Sequence, residues 1–123
     1  MPIKNQCIII RHPAYGREDA YAGIRMASVG NMYGLPTDLV LCEDGVWNAV
    51  KDQWSETIEM PSNEEHLIHA VESGAKVYVD AEALEERGLT AEDLIDGVHV
   101  ASCEDIAKFI LEHDAALPLC GGF

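Results

Sequence analysis

Three of the four cysteines in this chain lie just past short apolar runs, and other reactive side chains do the same. Cys42 follows Leu39–Leu41, Cys103 follows Val98–Ala101 with Ser102 between, and Cys120 follows Ala115–Leu119. Arg11 and His12 follow Cys7–Ile10, and Asp80 follows Lys76–Val79. A thiolate is a nucleophile, a histidine can take its proton, and an arginine can hold an anion. These residue types therefore point to thiol chemistry without naming a reaction.

Short runs rich in Val, Ile and Leu, separated by helical patterns, read as buried strands of a parallel sheet. In such a sheet the carboxyl ends of the strands share one edge, where ligands bind. The expectation is that Arg11, His12, Cys42, Asp44, Asp80, Cys103 and Cys120 gather along one rim. The intervening segments supply the helices. A long one runs from about Arg17 to Tyr33 and stops at Gly34-Leu-Pro36. Its stripes Ala20, Ile24, Ala27 and Ala22, Met26, Val29, Tyr33 predict one broad buried face. A short helix is expected over Val46–Gln53, with Trp47, Val50 and Trp54 as a stripe that is either core or an oligomer contact. Ser62-x-x-Glu65, Thr90-x-x-Asp93 and Ser102-x-x-Asp105 read as helix starts, and Ala81–Arg87 closes at Gly88. The alternation predicts an α/β three-layer sandwich around a mostly parallel five-stranded sheet, as a single domain.

The thiols differ in their local physics. Cys103 falls at the first helical position after Ser102, where free amides and the helix dipole favour an anion. Glu104 and Asp105 oppose that pull. Cys120 precedes Gly121-Gly122 near the terminus, where a thiol could reach a partner. Cys42 is crowded by Glu43 and Asp44, and Cys7 reads as core. Asp80 reads most simply as a helix cap, and His66 and His69 as solvated.

Composition narrows the classes. Twenty-two acids against eight bases give a net charge of −14, which repels phosphate backbones and anionic membranes. No apolar stretch approaches the roughly 20 residues of a membrane helix, and the first residues lack a signal-peptide pattern. These features predict a cytoplasmic protein with reduced cysteines. No C-x-x-C, phosphate-binding loop or dinucleotide fingerprint occurs, so no cofactor is expected. A zinc site of His12, Cys42, Cys103 and Cys120 has no diagnostic spacing.

Arg11-His-Pro-Ala-Tyr-Gly16, then Leu39-Val-Leu-Cys-Glu-Asp-Gly-Val-Trp47, then Val77-Tyr-Val-Asp-Ala-Glu-Ala-Leu-Glu-Glu-Arg-Gly-Leu89 appear in order over nearly the whole chain. Together they resemble the DsrE/DsrF-like family of small sulfur-relay proteins, nearest its DsrF and TusC branch. The resemblance implies a parallel five-stranded α/β fold, trimers or hexamers, cytoplasmic handling of persulfide sulfur, and sulfur donor and acceptor proteins as partners. It also implies a departure. Sulfur-carrying members often place a cysteine just after the third strand, where this chain has Asp80-Ala81. Either Cys103 or Cys120 then takes that role, with Arg11, His12, Cys42, Asp44 and Asp80 around it, or the chain is an assembly subunit without chemistry of its own.

Overall fold

The computed structural model describes residues 2–15 and 18–119. Five strands form one sheet: β1 (Gln6–Ile10), β2 (Thr37–Leu41), β3 (Val77–Asp80), β4 (Val98–Ala101) and β5 (Ala115–Leu119). Their order is β4-β3-β2-β1-β5, and every neighbouring pair is parallel. The strands coincide with the apolar runs of the sequence to within about two residues at either end.

Four helices connect them: α1 (Glu18–Met32), α2 (Asn63–Glu72), α3 (Ala81–Glu86) and α4 (Cys103–Leu111). Three successive steps, β1 to β4, run in one direction across the sheet, and the last step to β5 runs back. Right-handed crossovers therefore put α1, α2 and α3 on one face and α4 on the other. The larger core lies on the first face. Ile8, Ile10, Leu39, Leu41, Val77 and Val79 pack there against Ile24, Leu67 and Leu84. Each such side chain contributes roughly 1.5–3 kcal/mol by leaving water. On the second face Val40 packs with Ile106 and Phe109, and the Phe109 ring stacks on Tyr78 at 3.9 Å.

Capping follows the sequence closely. Ser62 Oγ accepts from Glu65 N at 3.2 Å, and Ser102 Oγ from Asp105 N at 3.2 Å. Thr90 and Asp93 form a reciprocal box over a single 3-10 turn, Ala91–Asp93. Gly34, at φ +88, closes α1 in a left-handed conformation that suits glycine.

Three expectations fail. The second α1 stripe is exposed: Ala22, Met26, Val29 and Tyr33 face away from the sheet. A helix on an outer layer has one buried side, here Ala20, Gly23, Ile24 and Ala27, and at Gly23 an added Cβ would press on the ends of the Leu119 and Ile10 side chains. Instead of a helix over Val46–Gln53, a 3-10 helix spans Glu43–Ala49, and Val50 turns extended to bridge Leu94. Trp47 and Trp54 therefore share no helix, and both are exposed, Trp54 by 75%. His66 is half-buried against Tyr21, with ring centroids 5.0 Å apart, while His69 is exposed. Burial, then the nearby Arg25 and His69, push the His66 pKa down.

Far from the rim, at the amino edge, Asp38 joins three elements. Its carboxylate accepts from Lys76 N at 2.8 Å and meets His113 Nε2 at 2.7 Å, tying β2 to β3 and to the end of α4.

Candidate functional site

At the carboxyl edge the backbone of β2 runs straight into the loop that carries Cys42. Cys42 N donates to Ile10 O at 3.1 Å, and its Sγ lies 3.9 Å from the same oxygen. The residue is extended, so strand alternation continues and its side chain falls on the Val40 side of the sheet, under α4. Asp80, two residues after Tyr78, falls on that side too. Cys103 opens α4 above them and is exposed.

Electrostatics place these groups together. The Cys42 thiol is pushed up to about 11, first by burial, then by Glu43 and Asp80, against a lowering pull from Arg11 and with a further raising contribution from Cys103. Four sequence-selected residues, Arg11, Cys42, Asp80 and Cys103, thus share one neighbourhood. Arg11 Nη1 is 4.0 Å from Glu43, both on the surface. Asp80 Oδ1 accepts from Glu82 N at 3.1 Å, so the carboxylate also caps α3. Glu104 pairs with Lys108 at 3.6 Å along α4.

The other selected residues are placed differently. His12 directs Nε2 toward Asp19 at 3.8 Å, on the α1 side, away from Cys42. Asp44 is held by Arg87, whose Nε and Nη2 donate to Oδ1 at 3.1 and 2.9 Å. That fork ties the Glu43–Ala49 loop to the end of α3. Cys7 is fully buried, and burial followed by Asp38 raises its thiol to about 11. Cys120 lies outside the described residues; β5 brings the chain as far as Leu119, paired in register with Ile10. Among the described residues, no three His, Cys, Asp or Glu side chains converge as a metal site.

Sequence reasoning missed the polar network that shapes these loops. Asn48 is fully buried, and its Nδ2 donates to His12 O at 2.9 Å and Gly45 O at 3.0 Å. Its Oδ1 accepts from Asn63 Nδ2 at 2.8 Å, and Asn63 is itself buried. Tyr15 Oη accepts from Asn63 N at 3.1 Å and donates to Gln53 Oε1 at 2.5 Å. Glu64 completes the set by accepting from Asp52 N and Gln53 N at 3.0 and 2.8 Å. Nothing in residue type or spacing marks an asparagine as buried, so no sequence signal could have found this cluster.

The match to known families decides the relationship. A model of the DsrE/DsrF-like family matches residues 4–119. The chain belongs to the DsrE/DsrF-like family. It is 37% identical over 107 residues to the uncharacterized protein MJ0989 of Methanocaldococcus jannaschii, covering 87% of this chain and 92% of that one. It is 34% identical over 107 residues to the uncharacterized protein MK0008 of Methanopyrus kandleri, covering 87% of each. Among solved structures, the ychN protein from E. coli superposes with a TM-score of 0.85 at 22% identity, over 94% of this chain and 99% of that one. MTH1491 from Methanobacterium thermoautotrophicum, a protein of unknown function, gives 0.68 at 17% identity, over 93% and 97%. These structures share the DsrE/DsrF-like fold with this chain. Family membership places the protein broadly within sulfur metabolism. No helix among the described residues is long and apolar enough to cross a membrane.

Proposed function

We propose that this DsrE/DsrF-like protein relays persulfide sulfur in a reducing compartment such as the cytoplasm, with Cys103 as the accepting thiol. The observation that carries this reading is the position of Cys103, exposed at the head of α4 and sharing a neighbourhood with Cys42, Asp80 and Arg11. The Cys103 thiolate attacks the outer sulfur of a donor persulfide. The donor S–S bond breaks, the donor leaves as a thiolate, and Cys103 holds the sulfur as a persulfide. Sulfur moves without net oxidation, so the step needs no metal or organic cofactor. Arg11 supplies a positive charge for the anionic persulfide, while Cys42 stays protonated and does not compete as a nucleophile at neutral pH. The Glu43-Asp-Gly-Val-Trp47 turn favours the DsrF and TusC branch within the family.

The test is incubation with a small persulfide donor followed by intact-mass measurement. The expected product is a species heavier by about 32 Da, one sulfur atom, that is absent in Cys103→Ser. An adduct confined to Cys120 would move the role to the other rim thiol. No adduct on either would end the carrier reading.

A second reading is an assembly subunit in a homo-oligomer, a trimer or hexamer. It is favoured by Trp54 and by edge strand β5, where Ala116 and Pro118 are exposed on the α4 side of the sheet. Light scattering on the wild type and on Trp54→Ala distinguishes it: a monomer in both cases removes its support.

A further inference from the structure

The largest cavity described lies away from the thiols. It holds about 570 Å³ between α1 and the approach to α2. Its walls are Tyr15, Tyr21, Ala22, Met60, Pro61 and Asn63, mostly apolar surface, and its volume falls within the range of small-ligand pockets. Glu18 and Arg25 also line it. We infer that this cavity binds a small aromatic or aliphatic carboxylate, with the carboxylate on Arg25 and the apolar body against the two tyrosines and Met60. The inference rests on none of the thiol chemistry proposed above.

Charge decides the ligand's head group. Acids outnumber bases by 22 to 8, and some of the bases are engaged by them: Arg87 holds Asp44, Lys108 holds Glu104, and Arg11 lies by Glu43. Arg25 makes no ion pair with a described carboxylate. Its Nη1 donates to Tyr21 Oη at 3.0 Å, and its guanidinium lies 5.8 Å from the Tyr21 ring centroid. The Tyr21 bond is the only one Arg25 makes with a described residue, which leaves most of its five donors open, in the fork that pairs with a carboxylate. Glu18 sits seven residues earlier on α1, roughly 10 Å along the axis, which assigns the anionic end of the ligand to the Arg25 side.

The walls are also preorganised. Tyr15 sits at φ 70, a conformation that tyrosine rarely adopts, and its hydroxyl is fixed by Gln53 and Asn63 N. Asn63 is in turn anchored through Asn48. A ring held in place before binding loses little freedom on binding, and a strained residue at a cavity wall is where function is expected to collect.

The experiment is an NMR titration of the full chain with phenylacetate and, separately, with its neutral isostere phenylacetamide. Phenylacetate is expected to shift the amides of Tyr15, Tyr21, Met60 and Asn63 saturably. Phenylacetamide should bind about tenfold more weakly, the loss of one charge-assisted pair. Arg25→Gln, a surface change, should erase that difference. Ala22→Phe, at an exposed helix position, should fill the cavity and block both compounds while the rest of the spectrum is retained. The inference fails if those amides do not respond, if acid and amide bind the wild type alike, or if Ala22→Phe leaves binding intact. It also fails if the same amides shift with protein concentration alone, which would make a second copy the occupant.

Discussion

Gly45 lies so close to Ile10 that a Cβ on it would stand 2.1 Å from the Ile10 carbonyl oxygen and 2.8 Å from its carbon. The same oxygen accepts from Cys42 N, and Gly45 N donates to Cys42 O at 2.8 Å. The end of β1 and the loop after β2 are thus pressed together, and this contact sets Cys42 beside Arg11. Both obstructing atoms are backbone, so neither can swing aside. Gly45→Ala should cost roughly 1–3 kcal/mol or more through overpacking. Urea unfolding measures it; an unchanged midpoint would show that the loop moves freely.

The rim thiols should differ sharply in reactivity. Iodoacetamide at neutral pH, followed by peptide mass mapping, is expected to label exposed Cys103 well before Cys42 and buried Cys7. Labelling of Cys42 should climb with pH toward about 11, where its thiolate forms. Asp80→Asn or Glu43→Gln should move that curve to lower pH, and Arg11→Gln to higher pH, because each removes the charge that displaces it. Equal labelling of Cys42 and Cys103 at pH 7 would contradict this ordering.

Stability should fall in alkaline solution. Cys7 and Cys42 are both raised from 9.0 to about 11. Below about pH 9 the folded and unfolded chains both keep these protons. Between about 9 and 11 the unfolded chain releases protons that the folded chain retains, so stability declines as pH rises through that window. Each two-unit shift corresponds to at most about 2–3 kcal/mol, with the Cys42 share smaller because solvent reaches that side chain. Melting temperatures across this range should fall less steeply in Cys7→Ala/Cys42→Ala, and an identical slope would refute the assignment.

Removing the Asn48 side chain strands two carbonyls, of His12 and Gly45, and the Nδ2 of Asn63. Asn48→Ala should therefore cost about 2–4 kcal/mol, more than most single changes, because unsatisfied buried polar groups are expensive. Amide exchange near His12 should rise as well. A loss below about 1 kcal/mol would mean that water replaces the side chain without penalty.

Much of the architecture was legible in the sequence because its signals are local. Each of the five strands announced itself as an apolar run between turn residues, and the Ser62 and Ser102 caps were visible as Ser-x-x-Glu and Ser-x-x-Asp. The 3-10 helix at Glu43–Ala49 was missed because a few apolar residues in a row fit either a helix or a tight coil, and contact with Ile10 chose the tighter form.

Local pattern also named Arg11, Cys42, Asp80 and Cys103, since strand ends in a parallel sheet must share an edge. Which face of that edge each residue takes was beyond its reach. Crossover handedness put α4 alone over Val40 and Tyr78, and that choice sets Cys103 above Cys42 and Asp80 while His12 turns to Asp19 on the opposite side. The burial of Asn48 and Asn63, the engagement of Asp44 by Arg87 and the exposed side of α1 arose the same way. They depend on what packs from distant parts of the chain, and a residue's type and neighbours carry no record of that.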